Sequence, residues 1–382
     1  MSQINVRNLS NENDDGSPEI VGVSTFSATS FFVPPKGSTA ERPSDCEPGS
    51  IRFNTDSANL EYFRGKTLGW SQFELINPNL GGGTGSNTGL GIRGLFAGGF
   101  ISPTGTARTN IIDFITISTL GNAQDFGDRT HVSDTCAGAA SKTRGVIAGG
   151  YAGSETNVIE FVTISSLGDA LDFGDLPSNR RNRDGCGDTV RGLFGGGYPF
   201  SAQIDYITFE SLGNAIDFGD LTQTRYNSGA LSSSTRAVFA GGNASPTSPV
   251  SDVIDFVTIR TTGNATDFGD LIGTMGTGGF SGTSNSTRGL IGIADSNSIE
   301  FITIATTGNA QDFGDATYNL GSHAAAGSPT RAVFAGGGAS PAPLTNSMDF
   351  VEILTTGNGL DFGDLTDGRQ SLAGFSNGHG GL

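Results

Sequence analysis

The tetrapeptide Asp-Phe-Gly-Asp occurs six times in this 382-residue chain, beginning at Asp125, Asp172, Asp217, Asp267, Asp312 and Asp361. The intervals are 47, 45, 50, 45 and 49 residues. A period of this size constrains the architecture more than any other feature. Each unit is a supersecondary piece that must bury its apolar face against its neighbours. Two more phrases keep step with the first. An arginine followed by a short apolar run opens each unit, at Arg93, Arg144, Arg191, Arg236, Arg288 and Arg331. The run ends in Gly-Gly in every copy except the fifth, which has Ile293-Ala294. Between this run and Asp-Phe-Gly-Asp lies an alternating phrase: IDFITI from Ile112, IEFVTI from Ile159, IDYITF from Ile204, IDFVTI from Ile254, IEFITI from Ile299 and MDFVEI from Met348.

These phrases read as strands. In IDFVTI, Ile254, Phe256 and Thr258 face one way and Asp255, Val257 and Ile259 the other, the two-residue period of a pleated strand. The stretch before Asp-Phe-Gly-Asp carries Gly-Asn (Gly-Asp in the second unit) and reads as a tight reversal. A fourth stretch, such as Arg225 to Thr235, precedes each arginine phrase. Four short strands per unit predict an all-β fold of six radially arranged sheets, a six-bladed β-propeller.

The arginine strand, the strand ending in Gly-Gly, the variable loop and the aromatic strand together resemble the kelch blade. The likeness runs from Arg93 to Leu382. The tryptophan usual in the last kelch strand is absent, and the Asp-Phe-Gly-Asp phenylalanine stands in its place. The ends suit a ring. The first unit lacks a fourth strand of its own, while Leu365 to Leu382 continues past the last repeat and aligns with the segment from Leu221, matching Arg369 to Arg225. A strand at about 369–375 is therefore expected to close a propeller spanning residues 93–382. An open solenoid would instead need polar capping repeats.

Composition removes several functions. Glycine and proline together make up about a fifth of the chain, below the level of low-complexity disorder. The net charge of −17 argues against binding nucleic acid or an anionic membrane. Cys46, Cys136 and Cys186 are widely spaced, with no Cys-x-x-Cys, so neither a disulfide framework nor a zinc site is expected. The first 17 residues have no apolar core, and no apolar run is long enough for a membrane span. The expectation is a soluble protein made in a reducing cytoplasm, with no membrane insertion and no cofactor.

Residues 1–80 carry no copy of the repeat. Residues 1–20 read as a polar, acidic arm that orders on contact with a partner. Ile51 to Asn54 and Leu60 to Phe63 alternate across a turn, and Trp70 to Leu75 supplies a third strand of a small meander. Such a sheet is marginal alone and is expected to pack on a copy of itself or on another protein. The run Gly37-STAERP, then Gly49-SIRFNTD, then Leu60-EYF, a glycine and Trp70, resembles a small module of tail-fibre and other virion proteins of tailed bacteriophages. That resemblance implies a structural protein of the virion, joined to other virion proteins through this module. Fibre proteins are commonly trimers, so the resemblance also raises a homotrimer, although no coiled-coil heptads appear. Residues 81–92, rich in glycine, read as the linker to the repeats.

Motifs of catalysis find little support. Asp-Phe-Gly echoes the magnesium-binding phrase of protein kinases, but six copies without a catalytic-loop motif argue for structure: the phenylalanine packed between sheets, the aspartates capping turns. Calcium held by the paired aspartates stays open as an alternative. Gly65-Lys66-Thr67 lacks the upstream glycine of a phosphate loop. His131, His323 and His379 occupy non-equivalent places in the repeat and read as solvated rather than catalytic. The single tryptophan, Trp70, excludes the repeated tryptophan phrase of sialidase propellers.

What varies between repeats is where specificity would lie. The loops after the glycines and after Asp-Phe-Gly-Asp differ in every unit and emerge on one face of a four-stranded blade. On that face the candidate receptor-binding residues are Phe100, Tyr151, Arg180, Arg181, Arg183, Tyr198, Phe200 and Asn243, with Ser102, Thr104, Glu155, Pro199 and Ser245 nearby. Tyr and Phe suit stacking on sugars or anchoring a protein, and the Arg180–Arg183 cluster suits an acidic glycan. The expected function is a non-enzymatic receptor-binding appendage contacting a host-surface glycan or protein. A head-decoration or fibre-knob protein without a receptor, a capsule-degrading propeller enzyme and a cellular kelch adaptor stand as the alternatives.

Overall fold

The structure is a computed structural model describing residues 34–56, 59–72, 91–101, 107–244, 250–273, 278–338 and 344–382. The arm at 1–20, the linker at 81–90, the strand beyond Gln72, and Ser102, Thr104 and Ser245 lie outside the described residues. The chain divides into two compact units, residues 1–77 and 78–382. Apart from one 3-10 turn at Thr39–Glu41, the regular structure of the described residues is all strand.

In the first unit, Ile51–Asn54, Asn59–Phe63 and Trp70–Gln72 form the expected antiparallel meander. A short strand at Lys36–Gly37 adds parallel to its edge. Glu41 accepts hydrogen bonds from the backbone and hydroxyl of Ser38, closing the 3-10 turn. Arg42 reaches from that turn to the buried Glu61 at 2.9 Å and holds its carboxyl below the usual range. Trp70 packs on Phe63 and donates its indole N–H to the Pro43 carbonyl. The run from Gly37 to Pro43 therefore clamps the sheet edge rather than merely preceding it.

Among its described residues the second unit contains six antiparallel sheets. From inner to outer strand, the second is Ala137–Ala140, Arg144–Ala148, Val158–Thr163 and Leu171–Asp175. The third is Asp184–Gly187, Arg191–Gly195, Ser201–Thr208 and Ile216–Tyr226, extended by Asn243–Ala244. The fourth, fifth and sixth begin at Gly229, Ser281 and Ala324 and repeat the pattern. The first sheet joins the two ends of the unit: Ala373–Ser376 pairs with Arg93–Ala97, placing Ala373 opposite Ala97 and Ser376 opposite Gly94. The innermost strands touch in sequence, each against the next, and Ala373–Ser376 touches Ala137–Ala140 to complete the cycle.

Two repeated clasps join neighbouring sheets, and they explain the phrases. First, the opening arginine stacks on an aromatic ring of its own sheet, 4.4–4.9 Å from the centroid. Its guanidinium then donates to a backbone carbonyl of the next sheet, as Arg93 does to Ile164 and Arg331 to Ser118. Second, the Gly-Asn reversal of each sheet lies on the outer strand of the one before. Gly168 N–H donates to the Phe126 carbonyl and Gly121 N–H to Phe362, across the junction between the first and sixth sheets. Asn214, for example, accepts from the Asp175 N–H at 3.0 Å. The glycine of each Asp-Phe-Gly-Asp has φ between +142° and +147°, and a Cβ there would lie 2.4–2.6 Å from the neighbour's turn carbonyl. Only glycine fits.

The Asp-Phe-Gly-Asp phenylalanines are buried at 2–3% exposure, each packed edge-on against an aromatic of the third strand. The aspartates differ from expectation. Turn capping comes from the Asn or Asp of the reversal, while the first aspartate of each phrase is exposed. No cluster of three or more metal-ligating side chains occurs among the described residues.

The acid in the alternating phrase is buried in all six sheets. In four it meets an arginine from the connection entering its sheet: Asp113 with Arg369 at 2.5 Å, Glu160 with Arg129 at 2.6 Å, Asp205 with Arg183 at 2.6 Å and Asp255 with Arg225 at 2.7 Å. Burial opposes the charge on Glu160, but hydrogen bonds from His131, Arg129 and Thr130 win and hold it down to about 2.

Candidate ligand-binding face

The loops singled out by sequence converge on one end of the second unit, where the chain leaves the Gly-Gly pair and where it crosses between sheets. Phe100, Tyr151 and Tyr198 occupy the same position after the glycines in three successive sheets. They are half-buried, and arginines fill the gaps between them. Arg108 stacks on Phe100 at 5.0 Å and on Tyr151 at 4.6 Å. Arg181 stacks on Tyr151 at 4.5 Å and on Tyr198 at 4.7 Å. Tyr198 meets Tyr226 edge-on at 5.6 Å, and Phe200 meets Tyr226 at 5.0 Å. The result is a continuous arc of alternating rings and guanidiniums across three sheets.

Carboxylates steer the arginines. Asp134 takes the Arg108 Nε–H at 2.6 Å, and Glu155 lies 3.5 Å from Arg181 Nε. Burial pushes the Asp134 carboxyl up, against the pull of Thr135 and Arg108. Bridges between Phe100 and Arg108, Tyr151 and Glu155, and Arg181 and Tyr198 fix the backbone beneath. Arg180 lies beside the arc and donates to Ser178 Oγ, the Pro199 carbonyl and Gln203 Oε1.

Two expected site residues are elsewhere. Arg183 is 4% exposed and spends its guanidinium on Asp205 and the Phe194 carbonyl, so the Arg180–Arg183 cluster is split between surface and core. Asn243 is also 4% exposed, in a short strand paired with Tyr226. Arg108 and Tyr226 complete the arc and were not legible as site residues. Arg108 follows a variable loop, and Tyr226 lies one residue past the arginine that enters the core.

Inside the arc lies the mouth of the cycle of inner strands. Thr135, Asn182, Asn227, Ser322 and Ser371 hold left-handed φ values of 54–61° at equivalent positions. Their backbones are linked in series: Ser371 donates to Ser322, Thr135 to Ser371, Asn182 to Thr135 and Asn227 to Asn182. They rim a cavity of about 60 Å³. In its wall burial pushes the Asp184 carboxyl up to about 8, although the Gly185 and Ala230 N–H groups donate to it.

The histidines are not the solvated groups expected. His323 is buried, donates from Nδ1 to the Leu320 carbonyl and is pushed down to about 4 by burial. His379 donates from Nε2 to the Ala140 carbonyl. His131 lies 3.4 Å from Glu160. Cys136 and Cys186 are buried, and all three cysteines are free. No protein-family model matches the chain, and no curated protein matches it significantly.

Proposed function

We propose that this chain is a structural virion protein of a tailed bacteriophage, a tail-fibre or receptor-binding appendage without enzymatic activity. Its second unit is read as a six-bladed, kelch-like β-propeller whose loop face contacts the host surface. Its first unit joins other virion proteins. Support for the propeller comes from the cycle of inner strands and from clasps that recur at all six sheet junctions.

The observation carrying the binding role is an asymmetry. The repeat needs its clasps at every junction, yet the arc from Phe100 to Tyr226 occupies only three sheets. At the positions equivalent to Phe100, Tyr151 and Tyr198, the other three sheets carry Asn243, Asp295 and Gly338. A feature the scaffold does not require, on variable loops, is what a binding surface looks like.

The test is to label this chain in intact particles of the phage that encodes it and to add purified protein to an adsorption assay. Label on the tail and slower adsorption are expected. Label on the head alone, or unchanged adsorption, would reject the receptor-binding reading. Release of reducing sugar from capsule by purified protein would reject the non-enzymatic one.

A further inference from the structure

The geometry points to a ligand class for the arc: we propose that it binds a carboxylate-bearing glycan through the outer edges of Arg108, Arg180 and Arg181. This rests on the reading of the loop face as the contact surface. Tyr151 is stacked on by two guanidiniums, Arg108 from the preceding sheet and Arg181 from the connection into the next. Phe100 and Tyr198 each carry one. Rings covered in this way are poor platforms for sugar stacking, which was the expectation for bare aromatics. What the arc offers is the guanidinium rim.

That rim is prepared for anions. Stacking fixes the planes of Arg108 and Arg181, and the nearest carboxylate contact of each is at Nε. Among the described residues no hydrogen bond is made by the paired Nη groups, which leaves them for a second carboxylate that a planar fork takes bidentately. Arg108 and Arg181 retain 20% and 30% side-chain exposure. Arg180 adds a third cation with no carboxylate partner among the described residues. Three arginines against Asp134 and Glu155 leave this arc locally positive on a chain of net charge −17. A polyanion repelled by the rest of the surface would be guided here.

The test titrates the full chain with polygalacturonate, with dextran sulfate and with neutral dextran. Binding to polygalacturonate alone is expected, weakened about tenfold or more by Arg181→Ala and by Arg180→Ala, and falling as salt rises from about 50 to about 300 mM. Arg180→Ala removes no ion pair, so an unchanged melting temperature separates lost contact from lost fold. Equal binding to dextran sulfate, or binding to neutral dextran, would overturn the carboxylate class. If none of the three binds but both variants still lose adsorption competition, the ligand class fails and the contact face stands. If both variants compete like the parent, both fail.

Discussion

The first four sheets and the last two solve the same problem differently. All six bury an acid in the third strand. In the first four, an arginine from the entering connection neutralises it, and in three of them it also satisfies backbone carbonyls: Arg225 donates to Phe239 and Val253 as well as to Asp255, whereas Arg129 turns to Ser133 and Cys136. In the sixth sheet, Tyr318 takes the arginine's place, its hydroxyl 3.0 Å from the equivalent carbonyls of Phe334 and Ser347. Asp349 keeps the N–H and hydroxyl of Thr317, as Asp113 keeps those of Thr366 and Asp255 those of Thr222, but without an arginine beside them. In the fifth, Glu300 accepts from the Ile272 N–H, has no cation partner among the described residues, and is pushed up by burial. The fold therefore requires an acceptor at this position and a donor facing it. A full ion pair is only one way to supply them.

That contrast can be broken most severely at the ion pairs. Arg369→Ala would leave Asp113 buried without its cation, and a loss of about 3–5 kcal/mol in denaturant unfolding is expected. A loss below about 1 kcal/mol would show the pair to be dispensable. Replacing both partners with apolar residues of similar volume should cost much less than either single change.

Glu160→Gln and Glu300→Gln should then separate by pH. Glu160 titrates lower in the folded chain than in the unfolded, so its contribution is present above about pH 4.5 and lost as pH falls toward about 2. Its amide variant should be destabilised at neutral pH and insensitive in that acid window. Glu300 has a raised folded value, so it costs stability as pH rises above the unfolded value of about 4.5. Glu300→Gln should gain on the parent as pH rises, and urea midpoints across pH measure both. Parallel shifts would erase the distinction between the sheets.

Tyr318→Phe removes the single hydroxyl proton shared between the Phe334 and Ser347 carbonyls and should cost about 1–3 kcal/mol. Arg180→Ala, on the loop face, should change stability by no more than about 0.5 kcal/mol.

The strands were legible because the chain states them six times. The clamping acid stands second in every copy of the alternating phrase, but its burial was not legible: in the sixth copy it shares the phrase with the exposed Glu352. The buried acid's partner was harder to find. Arg225 and Arg369 fall five residues beyond their Asp-Phe-Gly-Asp, but Arg183 lies eight beyond and Arg129 immediately after. The four connections are equally long, eight residues from Asp-Phe-Gly-Asp to the inner strand, yet they deliver the guanidinium to the buried acid from different positions. For the same reason Arg180, which shares the five-residue offset, is the surface residue, and Arg183 is the buried one. The stacking of Arg108 and Arg181 between rings depends on neighbouring sheets, and no local pattern carries it.

The most direct test of the architecture is amide hydrogen exchange at the seam. With Ala373–Ser376 paired to Arg93–Ala97, the hydrogen-bonded amides of both segments should be as protected as those of Gly229–Ser232 and Arg236–Ala240, exchanging only on global opening. Exchange of Ala373–Ser376 at the rate of an open loop, while the fourth sheet stays protected, would show the cycle to be unclosed.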